Sequence, residues 1–174
     1  MKISILFLAI VMWSPFNGFS QEPSKSETQE FIKSKLSYYL FDVYRKSSGV
    51  SNHKRYFEFD ANCKLIILNE YDETNYNGHI HKNIQVTIDI ADIVDIVNER
   101  GMLTINFKSN SKRDYNQETN TITQTTKVTQ NTYVNFHTFV FDSTISPETI
   151  DRLVKAFKHL STLCGNKTNL NLFK

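Results

Sequence analysis

Asn83-Ile-Gln-Val-Thr-Ile-Asp-Ile-Ala-Asp-Ile-Val-Asp-Ile-Val97 is the stretch on which the fold reading turns. Ile84, Val86, Ile88 and Ile90 alternate with Asn83, Gln85, Thr87 and Asp89, the period of two expected of a half-buried β-strand. Asp92–Val97 continues as a further strand after a bend or bulge near Ala91. Asn98-Glu-Arg-Gly101 then reads as a hairpin turn, and Leu103, Ile105 and Phe107 face inward on the returning strand. A period-two run that folds back on itself argues for an antiparallel sheet.

The same period extends upstream. Arg55, Phe57 and Phe59 alternate with Lys54, Tyr56 and Glu58, and a turn at Asp60–Asn62 leads into Lys64–Tyr71. Within that second strand Ile66 and Leu68 accompany Leu65 and Ile67, which predicts a strand covered on both faces. Asp72–Gly78 reads as a polar loop. Before the strands, Phe31, Ile32, Leu36, Tyr39, Leu40, Val43 and Tyr44 recur every three to four residues. That predicts an amphipathic helix over 26–44, opened by a Ser26–Gln29 capping box and loosening after Tyr39.

Downstream, Asn110–Gln130 is polar and rich in Thr, Asn and Gln. It reads as a long exposed hairpin or loop with an edge strand around Thr121–Thr129, kept soluble by its polar residues. Lys108–Arg113 has no interleaved aromatics and reads as a solvated loop. Tyr133–Asp142 is a long aromatic strand. The last element is a helix over 147–164, with Ser146 as N-cap, Pro147 at the first helical position and Gly165 as the left-handed cap. Ile150, Leu153, Val154, Phe157, Leu160 and Leu163 form its single apolar stripe.

At the start of the chain, Lys2 precedes an apolar stretch from Ile3 to Trp13, followed by Pro15, Gly18 and Ser20. These are the features of a secretory signal peptide over 1–20, cut near Ser20–Gln21; the stretch is too short to span a bilayer. The expected organisation is then a disordered lead over 21–25, one domain over 26–165 and a tail over 166–174. Thirteen Phe and eight Tyr against five Gly and three Pro suit long strands. A formal charge of +2, part of it from Lys2 in the leader, offers no electrostatic reason for a nucleic-acid or anionic-membrane partner. In an exported protein Cys63 and Cys164 are a candidate disulfide, closing a loop of about 100 residues for about 4–5 kcal/mol. Two separate buried thiols are the alternative.

Helix, antiparallel strands and one closing amphipathic helix make an α+β chain: a bent sheet or small barrel of about seven strands, plugged by the last helix. In this order, and in Thr28–Leu36, Ile88–Ile93 and Ala156–Gly165, the chain resembles exported proteins of Gram-negative bacteria with a pleckstrin-homology-like domain. The resemblance implies a binding domain. Its turn Asp60-Ala-Asn-Cys-Lys64 lacks the basic cluster of phosphoinositide binders, so proteins, peptides or small ligands are implied instead.

Catalytic signatures are not found. There is no G-x-S-x-G elbow, no Walker motif and no G-x-G-x-x-G. Cys164 and His159 lie five apart on one helix and do not share a face. His79-Ile-His81 puts two imidazoles on one side of a strand, and His137 would complete a three-nitrogen metal site; a polar loop edge containing histidines explains them better. Asp89, Asp92, Asp95, Asp72 and Glu73 read as solvated carboxylates. The Thr119, Thr121, Thr123 and Thr125 alternation would line up on one strand face. The expectation is a non-enzymatic, periplasmic or secreted binding module without cofactor or metal, its partner an envelope or secreted protein or peptide. The binding surface is expected at His79, His81, Lys112, Arg113, Tyr115, Thr121, Thr123 and Thr125, since binding residues sit on loops held by a rigid scaffold. The alternatives are a hydrolase assembled from His79, His81, Asp89 and His137, or an exported inhibitor or immunity-type protein.

Overall fold

A computed structural model describes residues 22–40, 49–75, 78–108, 112–120 and 125–166. The signal peptide expected over 1–20, the end of the first helix over 41–44 and all but the first residue of the C-terminal tail lie outside these residues. The described chain is α+β, with α1 (Lys25–Tyr39), eight strands and α2 (Pro147–Leu163).

Helix α1 begins two residues earlier than its expected capping box. Ser24, not Ser26, is the N-cap: its Oγ accepts from the Glu27 amide at 3.3 Å, and the Glu27 carboxylate accepts from the Ser24 amide at 2.8 Å. A carboxylate is a stronger acceptor than the Gln29 amide and is favoured by the positive helix end, so the Ser24–Glu27 box wins. The helix buries Thr28, Ile32 and Leu36 and stops at Tyr39. Leu40 is already extended and bridges Phe141, while the Asp142 amide donates to the Tyr39 carbonyl at 2.8 Å.

The strands are β1 (Val50–Phe59), β2 (Lys64–Asn75), β3 (Gly78–Asp89), β4 (Ile93–Glu99), β5 (Met102–Phe107), β6 (Lys112–Asn120), β7 (Thr125–Val134) and β8 (Phe136–Val140). They form two antiparallel sheets, β1-β2-β3-β6-β7 and β4-β5-β8, rather than the expected single bent sheet or small barrel. Both are open, with β1 and β7 edging the larger. The registers show why eight strands appear where about seven are expected. Ile88 pairs with Lys112 and Ile93 with Phe107, so β3/β4 and β5/β6 are the two arms of one long hairpin. Its turn is Arg100-Gly101, both at positive φ, as a two-residue hairpin loop requires. Three long strands therefore break at one level. A 3₁₀ turn at Ile90–Asp92 divides β3 from β4, and Asn135 divides β7 from β8. At that level the Lys108 amide donates to Asp92 and the Phe107 amide to Asn135. The break at Ile90–Asp92 is the bend expected near Ala91.

One core lies between the helices and the sheets. Ile32 and Leu36 meet Phe57, Leu65, Ile67, Ile88, Ile93, Leu103, Ile105, Phe139 and the α2 stripe Ile150, Leu153, Phe157 and Leu160. Each such side chain contributes about 1.5–3 kcal/mol by leaving water. Ile66 and Leu68 are only half-buried, so β2 is covered on one face rather than two.

The end of α2 is locked three ways. Gly165 at φ +86° forms a Schellman cap, its amide donating to Thr162 and that of Asn166 to Ser161. The Asn166 side chain donates to the Ile93 carbonyl at 2.6 Å. Cys164, the C-cap residue, is bridged to Cys63 in the β1–β2 turn, with Cα atoms 5.9 Å apart. Cys63 holds φ +63°, a position that favours glycine. Asp60 Oδ1 supports that turn by accepting from the Asn62 and Lys64 amides.

Candidate functional site

The two hairpins of the larger sheet run well past the core. Ile67 is the last β2 residue in the main core cluster and Tyr71 the last buried one, and β2 continues for four more residues to Asn75, about 13 Å at strand rise. β3 and β6 accompany it, with His81 opposite Asp72 on one side and Thr119 on the other; β7 completes the arm as its edge. The helices pack on each other, on β1, on β4 and on the 3₁₀ turn. Asp72–Gly78, expected as a loop, is therefore paired strand up to Asn75 and again from Gly78.

At the base of the arm Asn69 and Tyr71 are buried. The Arg55 guanidinium donates to Asn69 Oδ1 at 2.8 Å, and the His53 ring lies 6.2 Å from Tyr71. Towards the tip, charged and polar side chains pair across strands. Asp72 Oδ1 meets His81 Nδ1 at 2.8 Å, and Asp72 Oδ2 accepts from Asn52 Nδ2 at 2.7 Å. Asn52 reaches it from a β1 bulge at φ +52°. The Asn52 hydrogen bond, then that of His81, holds the Asp72 carboxyl below its usual range. Thr74 Oγ1 engages His79 Nδ1 at 2.9 Å. Lys82 and Glu73 form an ion pair at 2.8 Å, one residue out of step with the histidines and so on the opposite face. These bonds fix side-chain direction on the half-exposed part of the arm.

The expected binding residues divide between the ends of this arm. His79 and His81 sit on one face near its tip, and Thr125 opens β7 opposite Asn120, at the same level. Lys112 and Arg113 pair with Ile88 and Thr87, about 23 Å from the His81 rung, and Tyr115 lies between, opposite Gln85. Thr121 and Thr123 lie outside the described residues. The threonine alternation does not occupy one strand: β6 ends at Asn120 and β7 starts at Thr125, so Thr119 faces Thr126 across a reversal. The edge strand itself is present, shifted towards Val134.

The residues of the alternative hydrolase site are not brought together. Asp89 lies eight residues along β3 from His81, about 27 Å away, and His137 is on β8 in the other sheet, edge-on to Phe139 at 4.5 Å. Asp89 caps the 3₁₀ turn, accepting from the Ala91 amide at 3.1 Å; burial pushes its carboxyl up, and that hydrogen bond partly offsets it. His159 Nε2 donates to the Pro23 carbonyl at 2.8 Å and is not paired with Cys164. Among the described residues no three His, Cys, Asp or Glu side chains are grouped to hold a metal ion, and no helix is long and apolar enough to cross a membrane. Sequence reading missed Asn52 and placed Asp72 and Thr74 in a loop rather than on a strand opposite the histidines. Their signal was the polar alternation Glu70, Asp72, Thr74, which mirrors His79 and His81 about the hairpin turn.

No protein-family model, curated protein or solved structure matches the chain.

Proposed function

We propose that the protein is an exported, non-enzymatic binding module of pleckstrin-homology-like architecture that engages another envelope or secreted protein through its β-arm. The observation that carries this reading is the length of β2–β3 and β6–β7 beyond the core. Beyond Tyr71 the pairing is carried mostly by charged and polar residues, with Asp72 and Thr74 opposite His81 and His79 and Glu73 ion-paired to Lys82. This adds little apolar burial, so its persistence points to a use outside the fold. The arm also ends in an open edge, β7, where an extended segment of a partner would gain main-chain hydrogen bonds. The Cys63–Cys164 bridge suits an oxidising compartment and supports export.

Photocrosslinking in the native host tests this. A benzoylphenylalanine placed at Thr74 or His79 is expected to give discrete adducts, and one at Glu148 on α2 none. Adducts from Glu148 but not from the arm would sink the reading.

A further inference from the structure

At the helical end of the molecule α1 and α2 run antiparallel, because Pro23 meets His159 while Phe31 meets Arg152. They do not close on each other along the whole seam. A groove of about 670 Å³ remains between them, lined by the apolar Pro23, Phe31 and Ala156 and by the buried Thr28. That is the size of a site for a small organic ligand. It lies apart from the arm and does not rest on the arm's proposed role.

The charges around the groove are unequal in availability. Arg152 and Lys155, three residues apart on one face of α2, line it. The Arg152 guanidinium lies over the Phe31 ring, 5.2 Å from its centroid, which orients the group and leaves its in-plane donors to other partners. Among the described residues neither cation has a carboxylate within ion-pair distance. On the opposite wall the Glu27 carboxylate is engaged by the Ser24 amide and hydroxyl at the start of α1, with its pKa lowered by those bonds. Those bonds hold the carboxylate against the start of α1, and no ion pair joins it to Arg152 or Lys155 across the groove. The result is an aromatic floor beside two available cations, with Glu22 at the rim.

We infer that this groove binds a small amphipathic organic anion, its carboxylate held by Arg152 and Lys155 and its apolar body lying on Phe31, Ala156 and Pro23. An inorganic anion would need the cations but not the floor, and a neutral apolar molecule the floor but not the cations.

The probes that separate these cases are 2-naphthoate, its neutral isostere 2-naphthamide and inorganic phosphate, titrated into the purified, disulfide-bonded protein by calorimetry and amide NMR. The expected result is saturable one-site binding of naphthoate, with shifts centred on Phe31 and Ala156. Naphthamide and phosphate should each bind at least about tenfold more weakly. R152E/K155E should weaken naphthoate by about tenfold or more while leaving the thermal midpoint in place, both side chains being exposed. Ala156→Trp, which fills the floor, should abolish the shifts. Absence of saturation in the low millimolar range, equal binding by R152E/K155E, or shifts centred on the exposed Phe136 and Met102 would overturn the assignment.

Discussion

Asp89 illustrates how a residue's role changes once its neighbours are known. By alternation it belongs to the polar side of β3 and reads as solvated. In the fold it sits at the break between two sheets, half-buried, with its carboxylate on the Ala91 amide. Burial raises its pKa above that of the unfolded chain, so the folded state binds the proton more tightly. Stability from this group is therefore greatest below the unfolded carboxylate pKa and declines as pH rises through the folded value. Asp89→Asn keeps a capping acceptor and removes the buried charge. It should flatten that decline, so that denaturant midpoints of variant and parent diverge in the variant's favour between about pH 4 and pH 7. Asp72 works in the opposite sense. Its lowered pKa makes its contribution present above the unfolded carboxylate pKa and lost as pH falls through the folded value. Nothing in the local sequence distinguishes these two aspartates, because burial and the Asn52 hydrogen bond both come from distant chain.

Helix α2 was legible almost residue by residue. Ser146, Pro147, the apolar stripe and Gly165 are all local signals, and the observed helix runs Pro147–Leu163 with Cys164 as C-cap. Its two ends are separately testable by chemical denaturation. Ser146→Ala removes the acceptor of the Thr149 amide and should cost about 1 kcal/mol. Gly165→Ala meets no steric neighbour, so its cost of about 1 kcal/mol should come only from holding φ +86°. Gly165→Asn should cost less, since Asn tolerates that region better. Helix α1 shows the limit of such signals: two capping boxes lay two residues apart, and the chemistry of the third position decided between them. Most strands were legible in existence, as was the Ile84–Ile90 face, but their lengths were not. Strand β6 was not legible, since Lys112 and Arg113, expected in a solvated loop, open a strand paired with β3. Polar β2 and β3 beyond Tyr71 resemble loop sequence, and only pairing with a neighbour makes them strand.

The whole molecule is tied together by one covalent link across 101 residues. It joins the first hairpin turn to the end of the last helix, the two elements that flank the core. Cys63→Ser/Cys164→Ser should lower unfolding free energy by about 4–5 kcal/mol, read from the denaturant midpoint, with most of the effect through the unfolded chain. Native-state amide exchange should then report a gradient within the sheet. The Leu65–Ile67 and Val86–Ile88 rungs should exchange only on global opening. The Asp72–Asn75 segment and its partner Gly78–His81 should exchange much faster, since none of their residues belongs to the buried core cluster. Uniform protection along β2 would contradict a polar arm standing clear of the core. What the chain declares locally is its periods, caps and turns: the antiparallel strands, the bend near Ala91, the closing helix and the pair of cysteines. These are properties of a few neighbouring residues and the dihedral angles they favour. Whether the cysteines meet, where three strands break in step, which polar segment is strand, and how Arg152 comes to lie over Phe31 depend on contacts between residues tens to more than a hundred positions apart. Such contacts form only when burial of the shared core outweighs the entropy of closing those loops, and that balance is struck by the folded molecule as a whole.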